Sequence, residues 1–177
     1  MSQTVSKIRF RATLVQPAVT TKGNSLMILV PKNASAKLPS RGMVSVEGTI
    51  NGFAFQATLE PDGRGSHILR VGLKLRGAAR VHVGDVATLE IAPVQEEPEP
   101  KVPVDLRRAL AAAPKARVLW LAITPIARRD WIFWVTSATR SETRARRINN
   151  ACAMLAAGKR RVCCFDRSGM YSKSFCR

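Results

Sequence analysis

Two histidines, His67 and His82, are the side chains that could carry acid–base chemistry near neutral pH. Such catalysis needs the group to be held beside a partner that positions it and shifts its pKa. Neither histidine lies in an acidic motif, although a turn at Gly84 could bring His82 close to Asp85. Asp85 could equally cap the turn before the strand that follows it. We therefore expect both histidines to be ordinary polar residues at strand edges and in turns.

The cysteines and the paired glycines also lack the spacing of catalytic or metal sites. The four cysteines are Cys152, Cys163, Cys164 and Cys176. They form no C-x-x-C pair and no histidine is near them, so we expect free thiols in a reducing compartment rather than a zinc site. Gly63 and Gly65 are not followed by Lys-Ser/Thr, so they do not make a phosphate loop. The sequence therefore predicts no enzyme, no metal and no cofactor.

The candidate site is a set of basic residues in and after a helix near the C-terminus. The set consists of Arg140, Arg144, Arg146, Arg147, Lys159, Arg160 and Arg161. At about 100° per residue, Arg140, Arg144 and Arg147 form one stripe of the helix, which could bind phosphates. The alternative is that Arg144 pairs with Glu142 or Asp130 and that the other basic residues are solvated.

The net charge of +17 is unevenly distributed along the chain. Residues 1–95 contain 12 basic and 5 acidic residues, residues 101–177 contain 17 and 4, and three glutamates lie between them. Such a field attracts polyanions, so non-specific nucleic acid is a possible partner. The alternative is a soluble protein with an arginine-rich surface. No apolar run approaches the ~20 residues of a membrane span, and the N-terminus lacks the apolar core of a signal peptide. We expect a cytoplasmic protein, and the sequence predicts neither its partner nor its oligomeric state.

The elements that position these residues begin with a β-hairpin. Asn51-Gly52 predicts a type I′ turn, because both residue types tolerate positive φ. A two-residue loop pairs Ile50 with Phe53 and fixes the pairing of every residue before and after them. In this register one face of the hairpin is apolar and the other is mostly polar, which predicts a half-buried antiparallel sheet.

The hairpin belongs to an all-β first half. We predict further strands at 8–14, 26–30, 67–71 and 86–93, and short helices capped by Asn33 and over 73–80, with Leu73 and Leu75 turned inward. Segments 26–50 and 67–91 both read strand, short helix, strand. This degenerate repeat predicts a barrel with pseudo-two-fold symmetry.

The second half is predicted to be helical. We expect helices over 105–113, from 114 through 121 and over 126–138 behind the N-cap Thr124. A fourth helix should run from a capping box at Thr139 to about residue 157, followed by Gly158 as its C-terminal cap. The tryptophans at 131 and 134 and a stripe formed by Ile148, Cys152 and Leu155 are expected to be buried. The predicted organisation is a barrel domain over 1–94, an acidic Pro-rich linker over 95–102, a helical domain over 103–160 and a disordered tail over 161–177.

Several motifs resemble a known pair of bacterial domains. V-x-V-x-G-T-I-N-G-x-x-F and V-G-D-V in the first half resemble a bacterial domain of unknown function. V-P-x-D-L-x-x-A-L, R-R-x-W-I-x-W-V, E-T-R-x-R-R-I and M-L-x-x-G-K resemble the bacteriocin-protection, YdeI/OmpD-associated segment. Together the two resemblances cover about residues 5–160 of the chain.

The resemblance implies an α+β protein. Its first half would be a double-split β-barrel, distantly like the swapped-hairpin barrels of AbrB-type regulators, and a small helical region would follow. It also implies a non-enzymatic binding or stress-protection protein of unknown ligand. The alternative is a nucleic-acid-binding protein that uses the arginine-rich helix or the barrel.

Overall fold

A computed structural model describes residues 6–18 and 25–162 of the chain. These residues form two compact units, one ending at Glu96 and the other beginning at Glu97. In the described residues the first unit contains six strands and two short helices, and the second contains four helices. The predicted α+β class, with a barrel followed by helices, is confirmed. The domain limits at 94, 102 and 160 stay predictions, and residues 163–177 of the predicted tail lie outside the described residues.

The strands of the first unit close into an antiparallel barrel. They are β1 (Ile8–Val15), β2 (Leu26–Leu29), β3 (Val44–Ile50), β4 (Phe53–Pro61), β5 (His67–Val71) and β6 (Val86–Pro93). Around the barrel their order is β1-β2-β5-β4-β3-β6. If β1 is exchanged with β4, β2 with β5 and β3 with β6, the same set of neighbouring strand pairs results. This order therefore has the pseudo-two-fold symmetry that the repeat predicts.

Two short helices, α1 (Lys32–Ser35) and α2 (Leu73–Ala79), occupy equivalent places in the two repeats. The N-cap of α1 is Pro31, so the prediction that Asn33 caps it is wrong; the Asn33 side chain instead accepts from the backbone NH of the next residue. Leu73 is 63% exposed, so its predicted inward orientation is also wrong, whereas Leu75 packs against the barrel core. Two residues span about 200° of a helix, so Leu73 and Leu75 cannot share a face.

The β3–β4 hairpin has the predicted register throughout, from Ile50 opposite Phe53 to Val44 opposite Leu59. Its turn residues have positive φ, +48° at Asn51 and +85° at Gly52, as a type I′ turn requires. The Oδ1 atom of Asn51 accepts from the backbone NH of Thr88 at 2.9 Å, and the backbone NH of Asn51 donates to the carbonyl oxygen of Thr88 at 2.9 Å. The turn is therefore fastened to β6.

The second unit consists of α3 (Val104–Ala111), α4 (Pro114–Ala122), α5 (Pro125–Thr136) and α6 (Ser141–Ala156). Thr124 caps α5 as predicted, because its Oγ1 accepts from the NH of Ala127 at 3.3 Å. The capping box predicted at Thr139 is wrong, since the N-cap of α6 is Arg140 and its side chain makes no capping hydrogen bond. Gly158 follows α6 with a φ of +88°, as predicted for its C-terminal cap.

The core of the second unit contains the predicted tryptophans. Trp131 and Trp134 are buried and meet edge to face, with ring centres 6.0 Å apart. On α6, Ile148 and Leu155 are buried as predicted. Cys152 is only half-buried, and the neighbouring alanine is buried in its place. The buried stripe of α6 therefore differs from the predicted one only at its middle member, which is Ala151 instead of Cys152.

Candidate functional site

Arg144 of the predicted basic site is bound to another helix of the same unit. Its Nε and Nη2 atoms donate to the two carboxylate oxygens of Asp105 at 2.6 and 3.0 Å. These hydrogen bonds lower the pKa of Asp105 and raise the pKa of Arg144. Asp105 is thus the partner, and the alternatives Glu142 and Asp130 predicted from the sequence are wrong. Because the pair joins α6 to α3, Arg144 has a structural role.

Arg147 is also occupied within the helical unit. Its Nη1 atom donates to the carbonyl oxygen of Trp134 at 2.6 Å and to Oγ of Ser137 at 2.9 Å. Its guanidinium carbon lies 5.4 Å from the centre of the Trp134 ring, a distance that permits cation–π attraction. Arg147 therefore fastens α6 to the end of α5, and its guanidinium faces the protein.

The other residues of the predicted site are exposed. Among the described residues, the side chains of Arg140 and Arg146 have no hydrogen-bond or ion-pair partner. An Nη2 atom of Arg160 donates to the carbonyl oxygen of Ala122 at 3.1 Å. Lys159 and Arg161 lie beside it in the segment after α6. The polyanion site stays a prediction, and two of its seven members, Arg144 and Arg147, are held by α3 and α5.

The acidic segment that the sequence predicts to be a linker contacts α5. Glu97 lies 2.7 Å from Nη1 of Arg129, and Glu99 lies 2.8 Å from Nη2 of Arg128. Arg129 also contacts Asp130 at 3.2 Å. Asp130 is only 6% exposed, and its burial raises the pKa of its carboxyl, although Arg129 acts in the opposite direction. Both arginines at the start of α5 are therefore already paired with carboxylates.

His67 forms the arrangement most like a catalytic pair, but it is inside the barrel unit. Its Nδ1 lies 2.6 Å from Oγ of Ser35, and its Nε2 lies 2.8 Å from the carbonyl oxygen of Gly42. A carbonyl only accepts, so Nε2 carries a proton and donates it to the carbonyl oxygen of Gly42. A serine beside a histidine can act as a nucleophile. His67 is only 1% exposed, however. Its hydrogen bonds link α1, β5 and the segment before β3.

His82 lies in an exposed turn together with Asp85. The carboxylate of Asp85 accepts from the backbone NH of His82 at 2.7 Å and lies 3.5 Å from its Nδ1. The turn at Gly84 thus brings the two residues together, and Asp85 caps it. In residues 6–18 and 25–162, no group of three or more His, Cys, Asp or Glu residues could hold a metal ion.

A groove of about 610 Å³ lies along β3, β4 and β6 of the barrel unit. It is lined by Lys7, Glu47, Gly48, Thr49, Ala54, Phe55, Gln56, Glu90, Ile91 and Ala92. Glu90 lies 2.8 Å from Nζ of Lys7 and also contacts Nε of Arg9. Hydrogen bonds from these two bases lower the pKa of Glu90. The charge of Glu90 in this groove is therefore already compensated.

A smaller pocket of about 280 Å³ lies between α3 and α4. Its lining is apolar except for two arginines and consists of Val102, Arg107, Leu110, Ala111, Arg117, Trp120 and Leu121. Leu110 and Trp120 are buried, whereas Leu121 is 66% exposed at the rim. Among the described residues, neither Arg107 nor Arg117 has a hydrogen bond or an ion pair through its side chain. The pocket thus combines an apolar lining with two unpartnered cations.

Comparison with known families finds one match in each half of the chain. Residues 10–91 match the model of a domain of unknown function, DUF1905. Residues 99–158 match the model described as Bacteriocin-protection, YdeI or OmpD-Associated. The two matches follow one another in this order along the chain. The resemblance inferred from the sequence motifs is therefore confirmed. A comparison with curated proteins finds no match. No helix in the described part of the chain is long and apolar enough to cross a membrane.

Sequence reasoning missed the pocket between α3 and α4. The pattern does contain a signal for it, because Arg107 and Ala111 are four residues apart on α3, as are Arg117 and Leu121 on α4. Residues at this spacing share one face of a helix. Each helix therefore presents an arginine beside a small or apolar residue. Which faces of α3 and α4 meet depends on tertiary packing, and the sequence does not specify it.

Proposed function

We propose that the protein is a non-enzymatic binding protein that acts in the cytoplasm and protects the cell against stress of the bacteriocin type. Its bacteriocin-protection domain would hold the ligand site. The observation that carries this proposal is the pocket between α3 and α4, where Arg107 and Arg117 flank an apolar lining without partners of their own in the described residues. Ligand pockets are commonly of this kind, mostly apolar with a few placed polar groups.

Two further observations support binding and the cytoplasm. Both histidines belong to the barrel unit, and the residues that line the pocket include no histidine that could act as an acid or base. Cys152 is a free thiol, which suits a reducing compartment. Fractionation of cells into cytoplasm and envelope tests the location directly.

Filling the pocket tests the proposal. Ala111→Trp would place a large side chain in the pocket from an exposed position, so the fold should survive. Ala112→Trp is the matched control, since Ala112 is the next residue and is also exposed but does not line the pocket. Each variant is expressed in a strain that lacks the chromosomal gene, and survival is measured against a panel of bacteriocins. We expect Ala111→Trp to lose protection and Ala112→Trp to keep it; equal protection by both would refute the pocket as the site.

A second candidate function is sequence-independent binding of nucleic acid. The exposed and unpartnered side chains of Arg140 and Arg146, together with the basic segment after α6, favour it. Cations of this kind bind phosphates through charge alone. The salt dependence of DNA binding tests this candidate: loss of the exposed Arg140 and Arg146 should reduce it, whereas loss of Arg144 and Arg147 should not.

A further inference from the structure

We propose that the pocket between α3 and α4 selects small ligands that carry an acidic group on an apolar body, such as a short-chain or single-ring carboxylate. This inference rests on the proposed function, because it assigns a chemical class to the same pocket. It is carried by the size of the pocket, by its apolar floor and by the two arginines at its edge.

The size and lining of the pocket define the body of the ligand. Its volume of about 280 Å³ lies near the lower limit of roughly 300 Å³ for pockets that bury drug-sized molecules. Leu110 and Trp120 form a buried floor, and Leu121 extends the apolar surface to the rim. A short alkyl chain or one aromatic ring would cover this surface and remove it from water. A longer polymer would extend beyond the pocket.

The arginines define the head group. Four of the five carboxylates in residues 97–162 pair with arginines of the same unit, and these four are Glu97, Glu99, Asp105 and Asp130. Arg107 and Arg117 are left without such a partner in the described residues. A guanidinium binds a carboxylate or phosphate through two parallel hydrogen bonds. The protein itself provides carboxylate partners for Arg128, Arg129 and Arg144. An acidic group on the ligand would provide the partner that the protein does not give to Arg107 and Arg117 in its described residues.

A matched set of eight-carbon probes tests the charge requirement on the full chain. Octanoate, octanol and octylamine share one apolar body and differ in the charge of the head. Binding is followed by shifts of the backbone amide signals of Leu110, Ala111 and Leu121 and of the indole NH signal of Trp120. We expect octanoate to bind at least about tenfold more tightly than octanol, because charge-assisted hydrogen bonds add to the apolar contact. Octylamine should bind more weakly than octanol.

The double variant Arg107→Gln/Arg117→Gln should bind octanoate only as tightly as octanol, while its octanol binding stays unchanged. Arg108→Gln is the control, because Arg108 is an exposed residue of the same helix that does not line the pocket; it should leave all three affinities unchanged. Equal binding of octanoate and octanol by the wild type would overturn the acidic-ligand inference and leave the pocket itself in place. If no probe shifts the pocket signals, both this inference and the proposed binding site fail. Tighter binding of an eight-residue Glu-Leu peptide than of octanoate would overturn the small-ligand inference in favour of a peptide.

Discussion

The carbonyl oxygen of Glu90 lies 1.9 Å from the position that a β-carbon on Gly48 would occupy. Gly48 is in β3 and faces Ile91 of β6 in the sheet register. Real β-carbons do not approach a backbone oxygen this closely, so the two strands can meet here only because residue 48 has no side chain. The close approach of β6 to β3 therefore requires the first glycine of the G-T-I-N-G motif, Gly48. The turn that follows requires the second, Gly52.

Gly48→Ala is expected to destabilise the protein by about 2 kcal/mol or more, because the new methyl group would push β6 away from β3. Gly77→Ala is the matched control. Gly77 lies inside α2, and nothing is within 4 Å of the place where its β-carbon would be. An alanine there should stabilise the protein by roughly 0.5–1 kcal/mol, since glycine is a poor helix former. Urea unfolding of both variants measures the difference, and equal stability of the two would contradict the close approach of β6.

Arg147→Gln is expected to cost about 1–3 kcal/mol of unfolding free energy, because it removes the charged hydrogen bond to the carbonyl of Trp134 and the contact with its ring. Arg146→Gln should change stability by no more than about 0.5 kcal/mol, since Arg146 is exposed on the same helix. Thermal and urea unfolding compare the two variants. A similar loss in both would show that helix propensity or general charge, rather than the contacts of Arg147, explains the effect.

The buried carboxyl of Asp130 predicts a stability that falls as the pH rises. Its pKa is raised by burial, so the folded protein holds this proton more tightly than the unfolded chain. The resulting stabilisation is present below the unfolded pKa of about 3.9 and is lost as the pH rises through the higher pKa of the folded state. The unfolding free energy of the wild type minus that of Asp130→Asn should therefore decrease between about pH 4 and pH 7. An increase over that range would mean that Arg129 dominates over burial.

Asp105→Asn is the control with the opposite sign. The hydrogen bonds from Arg144 lower the pKa of Asp105, so the stabilisation is present above the unfolded pKa and is lost as the pH falls through the lower pKa of the folded state. The wild type minus Asp105→Asn difference should therefore increase with pH, over a window that lies below about pH 4. The effect should be small and should shrink with added salt, because the Asp105 side chain is 44% exposed.

The barrel could be predicted largely because its decisive signals are local. The dipeptide Asn51-Gly52 specifies both the turn and the complete β3–β4 register. The repeat predicts a symmetry that the strand order shows, since β2 pairs with β5 and β3 with β6. Helix ends were harder to predict, as Asn33 and Thr139 show, because several nearby residues could serve as a cap and packing selects among them.

The partners of the arginines could not be predicted, because they come from distant parts of the chain. Arg144 and Asp105 are 39 residues apart, and Arg129 and Glu97 are 32 apart. A helical wheel places Arg140, Arg144 and Arg147 on one stripe but does not show which neighbouring helix that stripe contacts. Two of the three therefore contact other helices, while Arg146, which is not part of that stripe, is exposed and unpartnered in the described part of the chain.

Exposed and structural arginines should differ in their effect on DNA binding. If the second candidate function is correct, Arg140→Gln/Arg146→Gln should remove about two phosphate contacts and reduce the slope of log affinity against log salt by about 2 units. The effect should not depend on DNA sequence, and thermal stability should remain near that of the wild type. Arg144→Gln/Arg147→Gln should instead lower thermal stability, because it breaks the contacts with Asp105 and Trp134. While that variant is folded, its salt slope should stay close to that of the wild type. Wild-type protein that fails to shift DNA even at low salt would eliminate nucleic acid as a partner, and an unchanged slope in Arg140→Gln/Arg146→Gln would place the binding surface elsewhere.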